Sequence, residues 1–479
     1  MKEIDRVPTG IGGLDPLIGG GLPRGSLILL AGNPGTGKTV FGVQFICGGS
    51  SEYGEAGVYV SFAESRGTLI GNARRHIGCD LEALEGEGRL QILDLATMRE
   101  EGLSTVLEMI LDAIRSLGAK RLVIDSFSAM AQAFEEPIDP RIVLHTILGK
   151  MTRQMGCTTI LTVEVPTGRE EIGVSVEEFV ADGVLILRRL RLDGRDLREM
   201  EIAKMRGTEI RQSRYVFTLH GGFHVFAPFV ATRPEEAKLF KPTPDPDGYF
   251  LTGNPRLDEI LGGGYRRGNR ILIEVGEGVP AEAYRLLGDP TIWNFLAQGR
   301  GCVIFPTEGV DAEIIREGRA PYVGEDVWER FMRVYERRAV ERPETRPYVI
   351  QYTGESYEDD VDLRVRARRD LEDGTGQPSL AIFGLDAYEN LYGVENTLSR
   401  TGTSVAETAA LGNLDMVVAK PGCHEKVLQQ QRNVSAYHLV LSSIDRAVLM
   451  HGVRPATGLY CLEHDISKGH PEARLTPIV

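Results

Sequence analysis

Apolar residues in this chain gather in short, nearly unbroken runs, with little alternation of apolar and polar positions. Leu27-Ile28-Leu29-Leu30-Ala31, Val58-Tyr59-Val60, Leu122-Val123-Ile124 and Ile160-Leu161-Thr162-Val163 are four such runs in the first half, and Ile271-Leu272-Ile273 and Leu380-Ala381-Ile382-Phe383 are two in the second. Runs of this length, rich in branched residues and bounded by glycine or polar residues, predict buried strands of a largely parallel sheet. The segment after Thr39 and the segment near Ser104 to Leu117 read as helices. The chain is therefore expected to be α/β, with twisted sheets flanked by helices. From Ala231 to Asp247 prolines recur too closely for a helix or a central strand. This stretch is read as a linker between a domain over 1–230 and a second over 248–479.

Gly32-Asn33-Pro34-Gly35-Thr36-Gly37-Lys38-Thr39 lies between the first run and the helix that opens at Val40. Strand, glycine loop and helix in that order make a phosphate-binding loop. Backbone N–H groups from Asn33 to Val40, Pro34 having none, would turn toward phosphate oxygens, the helix N-terminus adds a partial positive charge, and Lys38 adds a full one. The Thr39 hydroxyl is a ligand for Mg²⁺. Two carboxylates complete the chemistry. Glu64, just past the strand ending at Phe62, is placed to orient or deprotonate an attacking water, and Asp125 ends an apolar strand as a Mg²⁺ holder, acting through a water. ATP and Mg²⁺ are the expected cofactors.

Leu251-Thr252-Gly253 with Leu257-Asp258, Gly262-Gly263-Gly264 and Gly268 repeats Thr9-Gly10, Leu14-Asp15, Gly19-Gly20-Gly21 and Gly25 at a constant offset. The loop itself is not repeated. Gly276-Glu277-Gly278-Val279-Pro280-Ala281-Glu282 puts Ala281 or Glu282 in place of the lysine, and the run Leu380-Ala381-Ile382 ends in Phe383 where a second Asp125 is expected, with Asp386 close by. The second half is therefore expected not to hold a triphosphate.

Net charge is −14, which opposes general attraction to nucleic acid or to an anionic membrane. The arginine-rich segments Trp328–Arg338 and Arg364–Arg369 are the local exceptions, and alternation with glutamate makes the first read as a salt-bridged helix face. Six scattered cysteines without a C-x-x-C pair suit a reducing compartment better than a disulfide framework. Cys423-His424 and Cys461 with His464 are too irregularly spaced to argue for zinc. The N-terminus lacks an apolar leader and no apolar run reaches about 18 residues. A cytoplasmic protein without a membrane span is expected.

The pattern T-G-x-x-x-L-D, then G-G-G-x-x-x-G before the loop, resembles the RecA superfamily and within it the KaiC-like ATPases. Val176-Glu177-Glu178-Phe179-Val180 with Asp182-Gly183-Val184, and Lys204-Met205-Arg206-Gly207-Thr208, are similar to motifs of that family. The resemblance implies two tandem RecA-like domains, the second degenerate, and homo-oligomeric rings, hexameric in the family, with ATP between subunits. It implies that Lys204 and Arg206, alternating on one strand face, reach the phosphate held by the neighbouring subunit. The family carries two adjacent glutamates where this chain has Ala63-Glu64, so slow turnover is the expectation. Autophosphorylation near Ser399–Ser404 is not expected beside a lost nucleotide site. The second domain would then serve the ring or dock a protein partner. A nucleotide-gated regulator resembling GvpD is the alternative, and a DNA-binding recombinase is a further one. Against the latter, the loop at 168–173 carries one arginine against two glutamates.

Overall fold

A computed structural model describes residues 5–95, 103–132, 154–165, 181–338 and 344–479, and the chain divides into two compact units, Met1–Pro228 with Pro477–Val479, and Phe229–Thr476. The motif residues at 168–173 and 176–180 lie outside the described residues.

The first unit opens with a short ribbon, β1 (Arg6–Val7) against β2 (Leu22–Pro23). Its nine-stranded sheet is built from β3 (Leu27–Gly32), β4 (Gly57–Ser61), β5 (Leu90–Asp94), β6 (Arg121–Asp125), β7 (Thr158–Glu164), β8 (Gly183–Leu192), β9 (Arg195–Met205), β10 (Arg214–Thr218) and β11 (His224–Val225). The order is β11-β10-β9-β8-β3-β7-β6-β4-β5, parallel from β8 to β5 and antiparallel from β8 to β11. All six residues of β3 are buried because both of its faces are covered. Ile28 and Leu30 pack with Phe41 and Phe45 of helix α1 (Lys38–Glu52), whereas Leu27 and Leu29 share a core with Ile110 and Ile114 of the helix Leu103–Leu117. The two-residue period of a strand sorts one apolar run into two cores.

The second unit repeats this topology with β12 (Tyr249–Phe250) and β13 (Tyr265–Arg266) as its ribbon. Its sheet comprises β14 (Asn269–Val275), β15 (Cys302–Phe305), β16 (Met332–Arg337), β17 (Val349–Tyr352), β18 (Leu380–Gly384), β19 (Leu414–Ala419), β20 (Tyr437–Ile444), β21 (Ala447–Arg454), β22 (Leu459–Asp465) and β23 (Glu472–Pro477). The order β17-β16-β15-β18-β19-β14-β20-β21-β22-β23 matches the first sheet strand for strand, with β17 added at one edge.

Three features depart from the sequence reading. Residues 231–247 form no helix or strand, yet Phe240 is buried against Trp293 and its N–H donates to the Tyr322 carbonyl, so this stretch packs as part of the second unit. Trp328–Arg338 is not one helix face: the helix Glu325–Phe331 passes directly into β16, where Met332 and Val334 alternate into the core. Finally, Cys47 and Cys79, 32 residues apart, form a disulfide that ties α1 to the loop after the helix Arg66–His76. Spacing alone gave no sign of that pair.

Candidate functional site

The loop between β3 and α1 turns tightly at Gly35 (φ 77°) and Gly37 (φ 105°), and a Cβ on Gly37 would also meet Leu219 at 2.8 Å. Only glycine adopts this backbone at low cost. Thr36, almost fully buried, holds the turn by donating from Oγ1 to the Asn33 carbonyl at 2.8 Å, while Pro34 and Gly35 are exposed at the tip. Helix α1 begins at Lys38 with no side-chain cap and no acidic residue in its first turn. Its leading N–H groups and its partial positive charge are thus left for an anion.

Lys38 is 7% exposed, and its ammonium donates to the carbonyls of Gly32 (2.9 Å) and Asn33 (3.0 Å). Among the described residues it forms no ion pair. Burial lowers its pKa, against the opposing pull of Glu164 and Asp125. Beside it, Asp125 is 6% exposed and accepts three hydroxyl hydrogen bonds: Thr39 and Tyr59 to Oδ2, both at 2.7 Å, and Thr162 to Oδ1 at 2.6 Å. Burial and the Asp125 charge push the Tyr59 phenol well up, which keeps it a donor. Glu64 follows β4, whose Ser61 is in register with Asp125. Ser61 Oγ ties the turn by bonding both the N–H and the carbonyl of Glu64, and Asn72 donates to the Glu64 carboxylate at 3.3 Å.

Sequence reasoning singled out Lys38, Thr39, Glu64 and Asp125 and passed over four neighbours. Tyr59 and Thr162 are the partners of Asp125; only their place on adjacent parallel strands brings them together. Glu164 ends β7 in register with Gly32, level with the loop. Arg198 is 9% exposed, with its pKa lowered by burial, and donates from Nη1 to the Gly35 carbonyl at 3.2 Å. Nothing in its surroundings, Leu197 on one side and Glu199 on the other, marks it out in the sequence, and its partner lies 163 residues away.

The structure does not bring Lys204 and Arg206 to this loop. Lys204 pairs with Val184, and Gly183 is in register with Ile28, so both cations lie by the start of β3, whereas the loop follows its end. Four strand residues separate those levels, roughly 13 Å. Arg206 is exposed and pairs with Asp182 at 2.9 Å, and Lys204 is half-buried.

Among its described residues the second unit has none of this chemistry at the matching positions, and its strand register moves the counterpart of Asp125 by one residue. Ile28, Ile160, Val123 and Tyr59 lie level across the first sheet. Their counterparts across the second are Ile271, Met416, Ile382 and Ile304. The position of Asp125 is therefore Gly384, not Phe383, whose side chain points to the other face. A Cβ on Gly384 would stand 2.5 Å from backbone atoms of Thr307, so no carboxylate fits there. Tyr59 becomes Ile304 and Thr162 becomes Val418. The helix that corresponds to α1 starts at Ala281, which settles Ala281 over Glu282 as the counterpart of Lys38. Asp386, noted in the sequence, is spent on Lys420 at 3.0 Å.

A parallel sheet with a glycine loop running into a helix, a lysine buried under that loop and a threonine–aspartate pair beside it define a RecA-like P-loop nucleotide-binding domain. Comparison with known proteins agrees: residues 7–227 match the KaiC ATPase family and residues 239–479 match GvpD basic region 2. The chain is a KaiC-like member of the RecA superfamily, and its second half belongs to the GvpD basic region 2 family. The circadian clock oscillator protein KaiC of Synechococcus elongatus is 35% identical over 328 residues, 66% of this chain and 60% of that protein. KaiC of Thermosynechococcus vestitus is 34% identical over 323 residues, again 66% and 60%. The chain thus spans less than two thirds of the length of these relatives. A solved KaiC-like protein of Pyrococcus horikoshii is 38% identical and is covered completely, against 47% of this chain, with a TM-score of 0.42.

Proposed function

We propose that the first unit binds and slowly hydrolyses ATP with Mg²⁺, that hydrolysis is completed by a neighbouring copy in a ring, and that the assembly has a regulatory role in the cytoplasm. The observation that carries this reading is the buried Lys38 ammonium, held by two carbonyls beside the Thr39–Asp125 pair. A desolvated cation without a carboxylate, beneath a helix N-terminus with free donors, fits a polyphosphate. Thr39 Oγ1 and Asp125 Oδ2, 2.7 Å apart, fit a magnesium ion: the threonine would bind it directly and Asp125 through a water. When bound, the metal neutralises charge on the phosphates.

The protein's own groups then have distinct tasks. Lys38 turns from carbonyl oxygens to phosphate oxygens. Tyr59 and Thr162 hold the Asp125 carboxylate in place, each donating a hydroxyl hydrogen bond to one of its oxygens. Glu64 orients the attacking water and takes its proton. Lys204 and Arg206, about a strand's length from their own loop, can serve only the loop of a neighbour. This separation supports a homo-oligomer, a hexamer by analogy with the family.

Turnover and particle size should be measured together. The wild type is expected to hydrolyse ATP and to enlarge from monomer to ring when ATP is added. Arg206→Ala should retain ATP binding while turnover falls. A protein that hydrolyses ATP as a monomer, or an Arg206→Ala variant with full turnover, rules out completion in trans. A second reading, a nucleotide-gated switch that captures a protein partner with incidental hydrolysis, is supported by the GvpD match over 239–479 and by Ala63 beside Glu64. ATP-dependent partner capture that survives in Glu64→Gln would favour it.

A further inference from the structure

The second unit contains a cavity of about 150 Å³ on the sheet face away from the helix Ala281–Ala297, between the helices Tyr357–Thr375 and Leu385–Leu411. Its walls are of two kinds. Val303, Phe383, Leu385 and Val417 supply an apolar floor. Five arginines, Arg270, Arg364, Arg368, Arg369 and Arg400, surround it, against two carboxylates in the lining, Glu372 and Glu407. The basic segment that looked like a nucleic-acid surface is thus partly turned inward, because Arg364, Arg368 and Leu371 recur on one face of their helix.

The arginines are unequally neutralised. Arg368 pairs with Glu372 and with buried Asp415, and Arg400 pairs with Glu407. Arg364 has no ion pair among the described residues. Its guanidinium donates to the hydroxyls of Tyr392 (2.9 Å) and Tyr388 (3.2 Å) and lies over their rings; Asp360 reaches it only through the Tyr392 hydroxyl. Arg270, 4% exposed, bonds Asp415 and Ser404, but its Nε is buried with no hydrogen-bond partner. An unused buried donor costs free energy that an arriving acceptor recovers. Arg369 stands exposed at the wall, also without an ion pair among the described residues.

We propose that this cavity is a binding site for a small organic carboxylate with an apolar body. The arginines recognise the anion, and the apolar floor takes the remainder. A cavity near 150 Å³ accommodates a single six-membered ring. Inorganic phosphate would leave the floor uncovered, and nucleic acid cannot enter an enclosure of this size. The site is separate from the phosphate loop and stands whether or not the first unit hydrolyses ATP.

Benzoate is the probe, titrated by calorimetry into the full chain, with benzyl alcohol as its uncharged analogue and inorganic phosphate as the anion without a body. Benzoate should bind saturably, with an affinity at least tenfold above either control. Arg369→Gln and Arg400→Gln, at the less buried part of the wall, should each weaken it about tenfold. Val365→Trp should abolish binding by filling the space. Lys38→Ala should leave it unchanged, which separates this site from the phosphate loop. Absence of benzoate binding, equal binding of benzyl alcohol or phosphate, or unchanged affinity in both arginine variants overturns the proposal. The two arginine variants keep the test decisive if Val365→Trp does not fold.

Discussion

The two units share strand order, register and a signature motif, yet differ at the lysine, threonine and carboxylate that would hold a nucleotide and its metal, while of the loop from Asn33 to Val40, Gly35 alone keeps its residue, as Gly278. Lys38, Thr39, Tyr59, Asp125 and Thr162 in one become Ala281, Glu282, Ile304, Gly384 and Val418 in the other. The carboxylate and the two hydroxyl donors on its neighbouring strands, Tyr59 and Thr162, have been replaced together by apolar residues, while Thr39 gives way to Glu282. Removing only one partner would strand a buried polar atom, whereas removing all of them leaves a well-packed sheet. What both units keep is structural. Asp15 accepts from the N–H and hydroxyl of Thr9, and Asp258 accepts from the Thr252 N–H, each fixing the segment that leads into the central strand. The contrast teaches that this fold does not depend on its phosphate chemistry, which is confined to strand ends and one helix start.

The largest test of that contrast is Lys38→Ala, expected to remove ATP binding and to lower turnover about 10³-fold, while the mirror change Ala281→Lys gains nothing because Gly384 leaves no room for a metal carboxylate. Binding assays on both variants decide it. Glu64→Gln comes next: turnover should fall about 10²-fold with nucleotide affinity intact, since the change removes a base and not a phosphate contact. Equal losses of binding and turnover would move Glu64 out of the catalytic role.

Stability sharpens the contrast further. Burial would raise the Glu274 carboxyl, but hydrogen bonds from His438 and Arg432 and the Arg432 charge bring it down to about 2. A depressed carboxylate stabilises the fold above its ordinary pKa of 4.5, and that contribution disappears as pH falls toward 2. Glu274→Gln should therefore cost on the order of 3 kcal/mol at pH 7 and progressively less below pH 4.5, by denaturant melts across that range. At Ala31, the matching position of the first unit, no such pH dependence can arise. The smallest effect concerns the shared motif. Asp15→Asn should cost about 1–3 kcal/mol and Asp258→Asn about 1, because Asp15 accepts from a hydroxyl as well as from the backbone.

Much of this was legible in the sequence. Solid apolar runs marked the parallel strands, glycine spacing marked the loop, and the constant offset between the halves exposed the lost lysine. The sequence misplaced the counterpart of Asp125 by one residue, because a run such as Leu380–Gly384 does not say which residues face which helix. It also read Trp328–Arg338 as a single helix, since charge alternation survives a change from helix to strand while the burial of Met332 and Val334 does not show in composition.

By itself, then, the sequence determined the class of the domain, the phosphate-loop pattern and the loss of that pattern in the second half, because these depend on local spacing along one strand, loop and helix. Only the tertiary structure decided what surrounds Asp125, how far Arg206 lies from its own loop, and that Arg270 and Arg364 line a cavity and not a surface. Those properties come from strand register and from which face of each element is covered, and they join residues up to 163 positions apart.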